Sequence, residues 1–199
     1  ARPLEHGRAG EAQGGPFDAA TSVTPLDEGR WSAEVVEGWD VVGNLHGGYL
    51  MANWSLYQAQ EEITAMAQKH DIKLTIFHGR GGTIARGGGP ANHAIRSQPS
   101  GSVNGRFRVT EQGEIIASRY ANPVLAHRHL EQIANAVILA SAPQKEEPIP
   151  QQWRNTLDEM SKVAQRTYRE LVYETPGFIE FWESATPLDE IKRLQIGSR

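Results

Sequence analysis

The chain has 199 residues, no cysteine, a formal net charge of −4, 39% hydrophobic residues and a mean hydropathy of −0.50. The missing cysteines exclude disulfides and thiolate-held metals and fit a reducing cytosol. The mild acidity argues against bulk attraction to nucleic acid, which shows as strong positive charge. No apolar run approaches the roughly 18 residues of a membrane span, and the opening Ala1-Arg2-Pro3-Leu4-Glu5 lacks a signal peptide's apolar stretch. A soluble cytoplasmic protein is therefore expected, with neither nucleic acid nor membrane among its partners.

The length suits one domain, or one and a half. With no initiator methionine and a stop at Gly197-Ser198-Arg199, the chain reads as cut at both ends. Residues 1–16, rich in Gly, Ala and Arg and without periodicity, predict a disordered lead-in. Residues 17–42 predict short strands, with Arg30 to Val36 alternating after an Asp27-Glu28-Gly29 turn. Asn44 to Ala52 predicts a glycine hinge opening into a helix. From Asn53, with Asn53 or Ser55 as its cap, Leu56, Ala59, Ile63 and Met66 recur at helical spacing, and Glu61, Glu62, Gln68 and Lys69 lie opposite. Ile72 to Phe77 predicts a buried strand that ends at a glycine-rich loop, and residues 91–98 predict a short helix. Val103 to Ile116 alternates as strands do around a turn at Glu111-Gln112-Gly113-Glu114. Residues 123–141 predict an apolar helix, residues 142–150 an exposed linker, and Trp153 to Leu171 a long amphipathic helix. Phe178, Phe181 and Trp182 predict a short aromatic helix, and these three with Trp153 are expected to pack in the core.

The loop at residues 77–90 reads FHGRGGTIARGGGP. Its glycines leave the backbone bare, so successive N–H groups can converge on an anion. Arg80 and Arg86 add forked donors suited to phosphate or carboxylate. His78 stands where the strand ends, the place where a barrel puts catalytic groups, and its imidazole exchanges protons near neutral pH. Together these predict a hold on a small, multiply charged oxyanion beside a proton-transfer group. A glycine-rich loop alone is more often only a loop, and arginine–glycine stretches can bind RNA. Here the cluster is single, follows an apolar strand and sits in an acidic chain, and no Gly-Lys-Ser/Thr follows as a Walker loop requires. Glu61-Glu62 reads as a solvated helix face, and His127 and His129 fall on different faces of their helix, a poor spacing for sharing a metal.

FHGRGG followed by RGGGP resembles the catalytic loop of phosphoenolpyruvate carboxylases, with Ala85 where a glycine is more usual. The likeness extends through NWSLYQAQEEITAMAQKHDIKLTIFHGRGG, SQPSGSVNGRFRVTEQGEII and the closing SATPLDEIKRLQIGSR, covering about residues 47–199. It implies an α/β, helix-rich fold, an incomplete TIM-type barrel behind a short strand-bearing N-terminal segment. Members of that family join bicarbonate to phosphoenolpyruvate with Mg or Mn, giving oxaloacetate and phosphate by way of carboxyphosphate and the enolate of pyruvate. Carried over by motif, His78 would handle the carboxyphosphate proton and hold CO2 nearby, and Arg80 would bind the transferred phosphate. Arg86 would neutralise charge and, as in many bacterial members, take an aspartate inhibitor. Arg199 of the GSR ending would bind substrate phosphate, and Gln112 of TEQGE is either a substrate contact or structural support. Whole members of the family are homotetramers.

The family's GYSDSNKDGG segment, which supplies a metal carboxylate, is replaced here by Val42-Gly43-Asn44-Leu45-His46 before Gly47, so the metal ligands are expected to be missing and the chain alone to be inactive. Residues 17–52, FDAATSVTPLDEGRWSAEVVEGWDVVGNLHGGYLMA, resemble the start of a hotdog-fold acyl-CoA thioesterase. The two resemblances meet at Gly47 to Ala52 and imply a chimera with a lead-in at 1–16, a thioesterase-like piece at 17–46 and a carboxylase-like piece at 47–199. They leave three functions open: the carboxylation, non-catalytic oxyanion binding, and a thioesterase-like activity.

Overall fold

A computed structural model describes residues 22–25, 31–37, 39–78, 90–111, 113–142 and 148–193. Two strands, β1 (Ser22–Pro25) and β2 (Trp31–Glu37), pair antiparallel. A long helical stretch, α1 (Trp39–Lys69), then leads to β3 (Ile72–His78), which lies parallel to β2 from Trp31↔Ile72 to Glu37↔His78. After α2 (Ala91–Arg96) comes β4 (Arg108–Val109), parallel to β3, so that the sheet runs β1-β2-β3-β4. Strand, helix and parallel strand follow one another twice, the repeat expected of an α/β architecture. The sheet is open among the described residues. The strands expected within residues 17–42 therefore belong to the same sheet as the strand that carries His78.

The remainder is helical: α3 (Gly113–Tyr120), α4 (Pro123–Ser141), α5 (Gln151–Arg169), a π-helical turn at Glu170–Glu174, α6 (Phe178–Ala185) and α7 (Leu188–Arg193). Among the described residues no helix is long and apolar enough to cross a membrane.

The expected hinge is Gly48, whose φ of 70° and ψ of 175° interrupt α1. Only glycine takes this conformation readily, and a Cβ there would stand 3.3 Å from Cβ of Tyr168 on α5. Neither Asn53 nor Ser55 caps the helix, since both sit inside it: the Asn53 amide donates back to the Tyr49 carbonyl at 2.7 Å, and the Ser55 hydroxyl lies 3.8 Å from the Met51 sulfur. A side-chain cap is found instead on α4, where Asn122, just ahead of Pro123, accepts from the N–H groups of Val124 and Leu125.

Two expectations fail. Strand pairing within Val103–Ile116 is confined to Arg108–Val109, and the chain turns helical from Gly113. The β-branched pair Ile115-Ile116 favours a strand only weakly, and tertiary contacts override it. At the far end of α3, Arg119 and Tyr120 fold back onto Glu111, at 2.6 and 2.9 Å. The aromatic core also does not form as read: Trp153 is 65% exposed, Phe181 66% and Trp182 47%, and Phe178 is half-buried. α5 docks on α1 by the neighbouring flank of its surface, through Arg154, Asp158 and Tyr168. An amphipathic period reports which face is apolar, not whether its cover lies in the same chain. The described core is small: Ile95 and Ala91 of α2, Val103, Ile76 of β3, Ala136 of α4, and Ala52, Trp54 and Ala67 of α1.

Candidate functional site

His78 closes β3. Its register partners are Glu37, the last residue of β2, and Val109, the last of β4, so the carboxyl ends of three parallel strands lie level at one edge. In open α/β sheets and barrels that edge is where ligands bind. The sequence after His78 is the glycine–arginine loop, and Gln112 comes three residues after β4 ends.

The imidazole of His78 is 3% exposed and stacks on the ring of Phe107, with centroids 4.7 Å apart and planes 23° apart. The Thr110 N–H donates to the His78 carbonyl at 3.0 Å, which fastens the end of β3 to the chain leaving β4. On the opposite side of this pairing the Arg108 guanidinium stands 4.6 Å from the centre of the Phe77 ring. Sequence reasoning missed Phe107. The signal available was that Phe107 and Val109 flank Arg108 in FRVTEQGE, so a short strand there turns both toward one face.

Beside the site, Glu111 gathers three groups. It accepts from Arg119 and Tyr120, and the Nε2 of His129 stands 3.6 Å from its Oε1. Burial, with the hydrogen bond to Glu111 and that carboxylate's charge, pushes the Tyr120 phenol up to about 12. A cavity of about 360 Å³ opens here, lined by Asn92, Arg119, His129, Gln132 and the apolar Ala91 and Ile133. His129 also meets the Tyr120 ring edge-on, while His127, on another side of α4, pairs with Glu131 at 3.6 Å. Glu61, read as part of a solvated face, instead forms a forked ion pair with Arg154 at 2.6 and 2.7 Å, which holds the Arg154 proton above the ordinary guanidinium range. Glu62 is exposed.

Of the site residues read from sequence, His78 alone falls within the described residues; Arg80, Arg86, Gln112 and Arg199 lie outside them. Among the described residues no three His, Asp or Glu side chains stand close enough to share a metal ion. With no such group among the described residues, no step is assigned to the metal that the resemblance implies.

The family model of phosphoenolpyruvate carboxylase matches residues 40–199. Proteins named phosphoenolpyruvate carboxylase are similar to the chain. That of Roseiflexus castenholzii is 51% identical over 152 residues, covering 76% of this chain and 16% of its own length. That of Hahella chejuensis is 46% identical over 187 residues, covering 91% and 21%. That of Synechocystis sp. is 46% identical over 183 residues, covering 92% and 18%. The chain thus spans between 16% and 21% of the length of these relatives. An alignment that takes in 92% of the chain runs well into the segment ahead of Gly47. The thioesterase-like reading of that segment finds no support, and with it goes the thioesterase alternative. The match of residues 40–199, together with the identity of the loop-bearing segment, makes this chain a member of the phosphoenolpyruvate carboxylase family.

Proposed function

We propose that this chain carries the oxyanion-handling loop of the carboxylation that converts phosphoenolpyruvate and bicarbonate into oxaloacetate and phosphate. One observation carries the reading. His78 is buried at the carboxyl end of a parallel strand, level with the ends of both neighbours, and the FHGRGG sequence starts there.

In this reading Arg80 and Arg199 hold the phosphoryl group while a bicarbonate oxygen attacks phosphorus. The enolate oxygen leaves, giving carboxyphosphate and the enolate of pyruvate. Fixed positive groups at that point stabilise charge as it develops. His78 accepts the carboxyphosphate proton, the C–O bond to phosphate breaks, and the CO2 released beside the imidazole is captured by the enolate carbon. Arg86 neutralises charge in the same loop and is the group an aspartate inhibitor takes. Gln112, which follows β4 in the sequence, is a substrate contact. The setting is cytoplasmic, the ion Mg or Mn, the whole-length assembly a homotetramer, and the architecture a partial barrel in which β2, β3 and β4 are consecutive parallel strands.

The share of the relatives' length that the chain spans supports a second reading, in which the loop binds a small oxyanion without turnover. One experiment separates the two. Oxaloacetate formation is followed by coupling to malate dehydrogenase, with bicarbonate and Mg, and phosphoenolpyruvate binding is followed by calorimetry, for the chain and for His78→Asn. Turnover lost in the variant supports carboxylation. Binding without turnover supports the second reading. Neither binding nor turnover in folded protein overturns both.

A further inference from the structure

We infer that Phe107 is a positioning residue for His78 and for the start of α2, an inference that rests on the reading of His78 as the proton-handling group. Phe107 stands 29 residues from His78 in sequence, in a segment read only as strand-like. One flat ring makes two contacts that matter. It lies against the imidazole with centroids 4.7 Å and planes 23° apart. It also packs against Ala91, the first helical residue after the loop. The residue that enters the loop and the residue that leaves it thus lean on the same side chain, and Ile133 of α4 packs into that same cluster.

The geometry suits a proton-transfer group. Stacking engages the face of the imidazole, while both ring nitrogens lie in its plane, so the contact limits rotation about χ2 without consuming a hydrogen-bonding position. Productive proton transfer needs the ring held within about 10–20°, and a strand-end histidine has two side-chain torsions to fix. The Thr110 N–H fastens the His78 backbone at 3.0 Å, and the Phe107 face adds a restraint on the side-chain rotation, which a backbone bond does not fix. A leucine at 107 would retain apolar bulk against Ala91 but offer no plane to the imidazole, whereas a tyrosine would offer both.

The test is NMR of the full chain with labelled histidine and tryptophan. In the unaltered chain the His78 carbon-bound ring protons are expected upfield, within the ring current of Phe107, with cross-relaxation from the Phe107 ring to both His78 and the Ala91 methyl. In Phe107→Leu the upfield shift is lost, and the displacement of the His78 signals by inorganic phosphate is lost with it. Phe107→Tyr restores both. The indole N–H of Trp54, bonded to Asp158 at 2.6 Å, reports that each variant is folded. His78 signals unchanged in a folded Phe107→Leu chain overturn the inference, as does a folded Phe107→Tyr that behaves like the leucine. If the leucine variant does not fold, absence of the two cross-relaxation contacts in the unaltered chain overturns it alone. Should phosphate move nothing in the unaltered chain, the reading of His78 as an oxyanion-site base fails, and the cross-relaxation from the Phe107 ring to His78 and Ala91 still decides whether the ring is held there.

Discussion

Where α5 meets α1, charged side chains of α5 bond to Trp54, Gln58 and Glu61, and Tyr168 stands close to Gly48; where α2 meets α4 and the end of the sheet, the contacts are made by alanine, isoleucine, valine and phenylalanine. In the first region Asp158 accepts from the Trp54 indole and the Gln58 amide at 2.6 and 3.2 Å, and Arg154 grips Glu61. The pairings Trp54 with Asp158 and Glu61 with Arg154 run in opposite directions along the two helices, so they lie antiparallel. Meanwhile Trp153, Met160 and Val163 on α5, and Leu171 in the π-helical turn after it, stay exposed. The second region buries Ile95 and Ala91 and surrounds His78. Polar pins specify how two helices register but contribute little beyond offsetting their own desolvation, whereas apolar burial drives folding. The loop-bearing corner therefore has its own means of support, and the helical pair borrows order from a few hydrogen bonds.

The sharpest way to break that contrast is Ile95→Ala. Ile95 is 0% exposed, so its truncation removes apolar contacts and leaves a cavity at the centre of the corner. A loss of about 2–5 kcal/mol is expected from urea unfolding. A loss below about 1 kcal/mol would mean that the packing around α2 collapses freely. Next in size is Asp158→Ala, which strands the indole N–H of Trp54, a side chain only 7% exposed. About 1–3 kcal/mol is expected, while Asp158→Asn, which keeps an acceptor, should cost less. Equal losses would show that the charge of Asp158, not its acceptor oxygen, holds the pair.

A pH titration probes the margin of the second region, where Glu111 ties α3 to the chain leaving β4. The folded protein holds the Tyr120 proton to about 12 against an ordinary 10.0, because burial and the Glu111 carboxylate both disfavour the phenolate. The sign follows directly: the folded state binds this proton more tightly than the unfolded one. Its contribution to stability is complete below pH 10 and is lost as pH rises to about 12. Tyrosinate absorbance should show Tyr120 titrating late. Glu111→Gln should bring it down only part of the way, since burial, the largest cause, remains. A full return to the ordinary range would make the carboxylate the dominant cause instead.

Legibility in the sequence followed the range of the interactions. The strand Ile72 to Phe77 sets Ile72, Leu74 and Ile76 between Lys73 and Thr75 and runs into a glycine-rich stretch, and local signals of that kind suffice; the helix of residues 123–141 was equally plain and has the bounds expected. The Gly48 hinge was legible because two glycines precede a helical period. What failed was decided at a distance. Ile115 and Ile116 look like strand until Arg119 and Tyr120 are seen to close on Glu111. Glu61 looks solvated until Arg154, 93 residues later, reaches it. His78 could be picked from the loop motif, but Phe107 could not, since nothing local says that two strand ends far apart in sequence lie side by side. The apolar stripe of α5 was read correctly as a stripe, and Trp153 on it wrongly as packed in the core, because period and burial are separate facts.

The smallest effect is the most discriminating for that last point. Trp153 is a large aromatic on α5 and 65% exposed, so Trp153→Ser removes little packing, and a change within about 0.5 kcal/mol is expected. The same substitution at a buried tryptophan costs several times more. Unfolding should be measured at two protein concentrations well apart. If stability is independent of concentration and indifferent to the substitution, the stripe is bare in the isolated chain, and the helical pair depends on Asp158 and Arg154 as argued. If instead the unaltered chain grows more stable with concentration, and Trp153→Ser abolishes that dependence, a second copy covers the stripe by mass action. The contrast between the two regions would then vanish in the associated form, because α5 would have found apolar cover like that around Ile95.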